Sequence, residues 1–159
     1  MARRKDRVYP AVLTIHSWLR WAALLLGAVA TFNAFRHRAD TAERPRGGRW
    51  DTFFMLALDL QVLFGVLLYF GLSPLTREAM NNVGMALRDP GLRFWAITHV
   101  AMMCVALVAV RAGRVFAIGE RTSGARRNGR YICFGIAMLA MLAGVPWPGL
   151  GNGRPLFRF

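Results

Sequence analysis

The chain has 159 residues, 55% of them hydrophobic, with a mean hydropathy of +0.34. That is the length of one domain and is too apolar for a water-soluble one, which leaves a multi-pass membrane protein resident in a lipid bilayer. The net charge of +13, from 21 Lys and Arg against 8 Asp and Glu, falls almost entirely between the apolar segments. Basic loops of that kind anchor helices in anionic headgroups, and the distribution argues against nucleic-acid binding.

Residues 1–8 form a short basic arm suited to headgroups or to a partner subunit. The segment that follows lacks a small-residue cleavage site, so it is expected to be a retained helix rather than a signal peptide. Four apolar segments, residues 9–35, 50–72, 93–112 and 130–147, can each cross a hydrocarbon core of ~30 Å. In lipid such segments must be helical, because only a helix satisfies every backbone group within itself. The expected fold class is therefore all-α: a transmembrane four-helix up-down bundle, one integral membrane domain over residues 1–159.

The first helix starts at Tyr9, with Pro10 in a first turn where its missing N–H matters least. Ala22, Ala23, Gly27, Ala28 and Ala30 make it narrow enough for close packing. It also carries His16 and Arg20 one turn apart, and ionisable groups at membrane depth mark a functional site by default. The loop after it is hydrophilic, and its His37 reads as a surface histidine. The second helix carries Asp59, ~20 Å from the face that holds the N-terminus, while Arg20 lies ~17 Å from that face. A charge at such depth survives only when paired, which predicts an Arg20–Asp59 ion pair, either orienting two helices or tuning a cofactor. Gln61, two residues on, is expected to point elsewhere.

Ser73-Pro74 reads as a helix cap with proline at the first helical position, followed by Leu75, Ala79, Val83 and Leu87 at four-residue spacing. This predicts an amphipathic interfacial helix over residues 74–88, stopped by Asp89-Pro90-Gly91 and placed to lid a site below it. The third helix carries His99, with Trp95, Met102 and Met103 on the same face. The fourth has Gly135, Ala137, Ala140 and Gly144 for close packing and ends at Pro146-Trp147-Pro148. Cys104 and Cys133 make no disulfide framework and no Cys-x-x-Cys motif, and read as small packing residues. The tail, residues 149–159, is expected to dock through Leu156, Phe157 and Phe159 or to be disordered.

In an up-down bundle the first and third helices run parallel, and His16 and His99 both fall ~9–10 Å below the same face. Two imidazoles at one depth on different helices can hold a haem iron from opposite sides, an arrangement that favours electron transfer over oxygen chemistry. Trp95, Met102 and Met103 offer flat and polarizable surface to a macrocycle. Arg77 and Arg93 are near enough to the interface to neutralise propionates, and Arg20 could do so from below. The same spacing also fits a structural hydrogen bond between helices, a magnesium of chlorophyll, another metal, or a proton shuttle beside a quinone.

Four short motifs carry a resemblance. His16-Ser17-Trp18-Leu19-Arg20-Trp21, Gln61-Val62-Leu63-Phe64-Gly65 with Leu68-Tyr69-Phe70, Thr98-His99 to Met102-Met103, and Gly144-Val145-Pro146-Trp147-Pro148 resemble the small four-helix bacterial membrane proteins labelled cytochrome b. The resemblance spans all four helices and implies haem b as cofactor, with His16 and His99 at its histidine positions. The second helix departs from it, having Asp59 where the family typically has a histidine.

These observations predict a membrane b-type cytochrome-like electron carrier or subunit, working with other membrane subunits or a redox partner. The alternative is a cofactor-free accessory subunit of a larger respiratory or photosynthetic complex. No hydrolase triad, P-loop or zinc motif points to a turnover enzyme. The loops 36–49 and 111–130 carry eleven Lys and Arg against nine on the other face, which places those loops in the cytoplasm and both termini outside a bacterial inner membrane.

Overall fold

The computed structural model describes residues 2–36, 48–118, 122–149 and 153–157, and its elements are all helical. Helix α1 spans Ala2–Arg36 and α2 spans Gly48–Leu67, the latter continued by a widened π turn over Leu68–Leu72. Three short helices follow: α3 (Pro74–Asn81), α4 (Val83–Arg88) and α5 (Pro90–Arg93). A second π turn over Phe94–Thr98 leads into α6 (His99–Ile118), and α7 spans Ser123–Gly144. His37 and Phe159 lie outside the described residues.

Three stretches, Arg7–Arg36, Gly48–Leu72 and Pro90–Ile118, are long and apolar enough to cross a membrane. The expected fourth span is not among them. Helix α7 is long, but its first turns hold Arg126, Arg127 and Arg130, which leaves an apolar stretch short of the ~20 residues a span needs. Helix α1 begins seven residues earlier than expected, so Pro10 stands inside it rather than in its first turn. The arm ahead of Pro10 is rich in Arg and Lys, good helix formers, and only the bond that the proline nitrogen would have made is missing.

The connection between the second and third expected spans follows its local chemistry. Ser73 caps α3, its hydroxyl accepting from the Thr76 backbone N–H at 3.4 Å, with Pro74 at the first position. The single interfacial helix expected over residues 74–88 is two, because the Asn82 side chain leaves the helix to accept from the Met85 N–H at 3.0 Å and caps α4. Asp89 ends α4 and in turn caps α5 through the Leu92 N–H at 2.7 Å. The two π turns stand against each other: Tyr69 donates its hydroxyl to the Ala96 carbonyl at 2.9 Å, and Thr76 donates to the Tyr69 carbonyl at 2.7 Å. Side chains thereby satisfy carbonyls in the widened turns, which are features found often at functional sites.

Helix α1 packs on α2 and α7, and α6 packs on the same two partners. The core between them is built from small residues, Ala23 and Ala30 of α1, Ala57 of α2, Ala106 and Ala109 of α6, and Ala137 and Ala140 of α7, around Phe54 and Phe134 in edge-to-face contact at 5.7 Å. Gly27 marks the tightest approach of α1: a Cβ there would stand 2.5 Å from Met138 Sδ and 2.7 Å from Phe54 Cε2. The outer faces are apolar as well, with Leu25, Val108 and Leu139 each about two-thirds exposed. A surface of that kind is matched by lipid tails rather than water.

Candidate functional site

Histidines 16 and 99 meet. Their ring centroids are 6.4 Å apart with the planes at 68°, although α1 and α6 have their main packing partners in α2 and α7. The His99 Nδ1 lies 2.7 Å from the Gly144 carbonyl oxygen. A carbonyl can only accept, so Nδ1 carries the proton and Nε2 presents its lone pair. No hydrogen bond reaches that Nε2 among the described residues. His16 is held by Gln61, whose amide nitrogen is 3.1 Å from its Nε2, while the buried Nδ1 of His16 and the buried Oε1 of Gln61 have no hydrogen-bond partner. Turning the amide over would let Nε2–H donate to Oε1 and leave the Nδ1 lone pair open. Each imidazole thus has one nitrogen fixed by a neighbouring helix and one nitrogen without a bond.

Two cavities share the pair. One of about 50 Å³ lies toward α7, lined by Met141, Gly144 and Val145. The other, about 180 Å³, lies toward α2 and is lined by Val62, Gly65, Val66 and Tyr69. Trp95 and Met103 line both, and the Trp95 ring stands 5.6 Å from that of His99. The approach is close on both sides. A Cβ on Gly65 would stand 3.3 Å from the His16 ring, and one on Gly144 would stand 2.6 Å from the Met103 methyl.

Other expected contributors stand elsewhere. Met102 turns toward α7, its Cβ 3.3 Å from where a Gly144 Cβ would be, and lines neither cavity. Arg77 donates to the Leu72 carbonyl at 3.1 Å and Arg93 to the Leu87 carbonyl at 3.4 Å, both on the exposed surface and away from the pair. The Arg20–Asp59 ion pair is not formed. Asp59 takes two 2.8 Å bonds from Arg111 of α6, and Arg20 donates to the Leu156 carbonyl at 2.6 Å. The depths were matched, but the directions were not: the α2 residue facing α1 is Gln61, and a residue two positions away points to the opposite side of a helix. Arg20, four residues from His16, shares its face and lines the smaller cavity.

The tail docks, as its aromatics suggest. Trp21 Nε1 donates to the Leu156 carbonyl at 3.0 Å, and Phe157 stacks on the Trp21 ring at 5.3 Å and 17°. Arg154 is brought to the site by this docking. A second polar contact, unforeseen in the sequence, lies beside the core: Arg130 of α7 grips Asp51 of α2 through two bonds of 2.7 and 2.6 Å, with Arg114 3.9 Å from the same carboxylate. Cys104 is exposed, Cys133 is half-buried, and both are free thiols.

Among the described residues no group of three or more His, Cys, Asp or Glu comes together to hold a metal ion. Compared with protein-family models, curated proteins and solved structures, the chain matches none.

Proposed function

We propose that this chain is an integral membrane electron-transfer protein of the b-type cytochrome kind, holding haem between His16 and His99. Its three apolar helices would cross a bacterial inner membrane, with α7 packed on α1 and α6 as the fourth member of an up-down bundle, and it would pass single electrons between a quinol pool and a partner subunit. The observation that carries the reading is the histidine pair itself. The ring centroids stand 6.4 Å apart and each ring keeps one nitrogen without a hydrogen bond, so His16 and His99 are the residues that would hold the iron. The donation from His99 Nδ1 to a backbone carbonyl is the orienting bond that metal-bound histidines ordinarily make. The His16 nitrogen that is buried without a partner supplies the second donor. Cavities on the α2 and α7 sides leave free space beside both imidazoles. When bound, haem would supply a one-electron couple, and ligation from both sides would leave no open position for oxygen.

Asp59 does not weaken this reading. Gln61 is the α2 residue that reaches His16, and Asp59, two positions away, points to the other side of the helix and pairs with Arg111, so a histidine at position 59 would not face the pair.

A second reading has its own observation. His16 bonds α1 to α2 and His99 bonds α6 to α7, which is what a structural histidine does between helices. That reading gives a cofactor-free subunit bracing a larger complex. Absorption spectra of the purified protein, oxidised and dithionite-reduced, with a pyridine haemochrome assay, separate the two. A Soret band is expected, lost in His16→Ala and in His99→Ala. A colourless wild-type protein prepared with haem in excess would overturn the cytochrome reading in favour of the brace.

A further inference from the structure

Both cavities at the histidine pair are lined without any Asp or Glu, while Arg154 lines both and Arg20 lines the smaller. A cation in an apolar surrounding is retained where it meets an opposite charge. Among the described residues no carboxylate reaches Arg154, since Asp51 and Asp59 are engaged by α6 and α7 arginines. Its guanidinium lies instead over the Trp95 ring, 4.5 Å from the centroid.

The placement of Arg154 is built rather than incidental. Its backbone N–H donates to the Pro146 carbonyl at 3.2 Å. Two residues on, the Leu156 carbonyl accepts from Arg20 and Trp21 together, and Phe157 is stacked beyond it. Residues 153–157 thus form a strap from the end of α7 to α1, with Arg154 at its inner turn. A guanidinium held over an indole by its central carbon still has N–H donors to offer, and to a carboxylate it can donate two parallel bonds.

We propose that Arg154 holds a carboxylate of the ligand bound at the histidine pair, so that the carboxyl-terminal strap is part of the binding site and selects an anionic ligand. The inference rests on the haem reading above, in which that ligand is an iron porphyrin with two propionates. It gives the strap the role that Arg77 and Arg93 are too far around the surface to perform.

The test compares full-length, haem-depleted protein titrated with iron protoporphyrin IX and with its dimethyl ester, followed by the Soret band. The free acid is expected to bind about tenfold more tightly than the ester, the worth of one charge-assisted hydrogen bond. Arg154→Gln should erase that preference and Arg154→Lys should restore part of it. Equal binding of acid and ester by the wild type, or an unchanged preference in Arg154→Gln, overturns the role of Arg154 and leaves the haem reading standing. Failure of both forms to bind overturns both. Should Arg154→Gln lose its helical circular dichroism, the wild-type comparison of acid with ester decides alone.

Discussion

Asp51→Ala is expected to lower the stability of the folded protein by about 3–5 kcal/mol, the cost of removing one partner from a buried ion pair. The side chains of Asp51 and Arg130 are 1% and 3% exposed, and the guanidinium meets the carboxylate through two short bonds. Taking the carboxylate away leaves the Arg130 cation in place with a second cation, Arg114, close by. Neither water nor headgroups can replace what is lost, because the pair lies beside Phe134, whose ring is 5.8 Å from the Arg130 guanidinium carbon. Asp59→Ala provides the contrast. Its partner Arg111 is 52% exposed and can extend its charge toward the interface, so the loss should be well under half as large. Unfolding in detergent micelles, followed by far-ultraviolet circular dichroism against denaturant, measures both. The double variant Asp51→Leu with Arg130→Met should recover most of the stability lost in Asp51→Ala, since an apolar pair of similar size removes both charges together. Equal losses in Asp51→Ala and Asp59→Ala would remove the buried pair from any special place in this fold.

That pair also shows what the sequence conceals. Asp51 stands where the apolar run of α2 begins, and there an acid reads as an ordinary helix-start residue favoured by the helix dipole. Its burial comes from α7, about eighty positions away, and no local pattern announces it. The available signal was an acid at the start of one apolar run and an arginine at the start of another. The histidine pair was legible for the opposite reason. Depth along a helix accumulates at 1.5 Å per residue, so two residues counted from one face can be matched by arithmetic. Rotation about the helix axis cannot be counted in that way, because it is set by which neighbours each helix packs against. His16 and His99 meet by both measures, whereas Arg20 and Asp59 agree in depth and face apart. The same limit hid Gln61, whose direction follows from α2 turning that face to α1. The cap at Ser73-Pro74 and the stop at Asp89-Pro90 are legible because their chemistry is local, whereas the cap that Asp89 gives α5 is not announced by a stop signal, and the cap at Asn82 is obscured by an unbroken four-residue apolar spacing.

Packing and the site can be perturbed separately, at two glycines. Gly27→Ala puts a Cβ against the Phe54 ring and Met138 Sδ, and an aromatic ring wedged between three helices cannot move aside without taking α2 with it. Such overpacking costs about 1–3 kcal/mol. On the haem reading proposed above, the Soret band should be unchanged in position, since Gly27 lies eleven residues, or ~16 Å, along α1 from His16. Gly144→Ala is gentler. Its Cβ meets the methyl end of Met103, which can swing away, then the Met102 Cβ at 3.3 Å and, at ordinary contact distance, His99 Nδ1 at 3.8 Å. Gly144→Leu is a different matter, because a branched side chain must enter the cavity of about 50 Å³ between His99 and Met141. It would push against the imidazole whose Nδ1 is held by that same residue's carbonyl. The expected result is a stability within about 1 kcal/mol of wild type for Gly144→Ala. For Gly144→Leu, the Soret band should fall by tenfold or more at equal protein, with the helical signal retained. A full Soret band in Gly144→Leu would mean that the haem proposed above does not occupy the space beside His99.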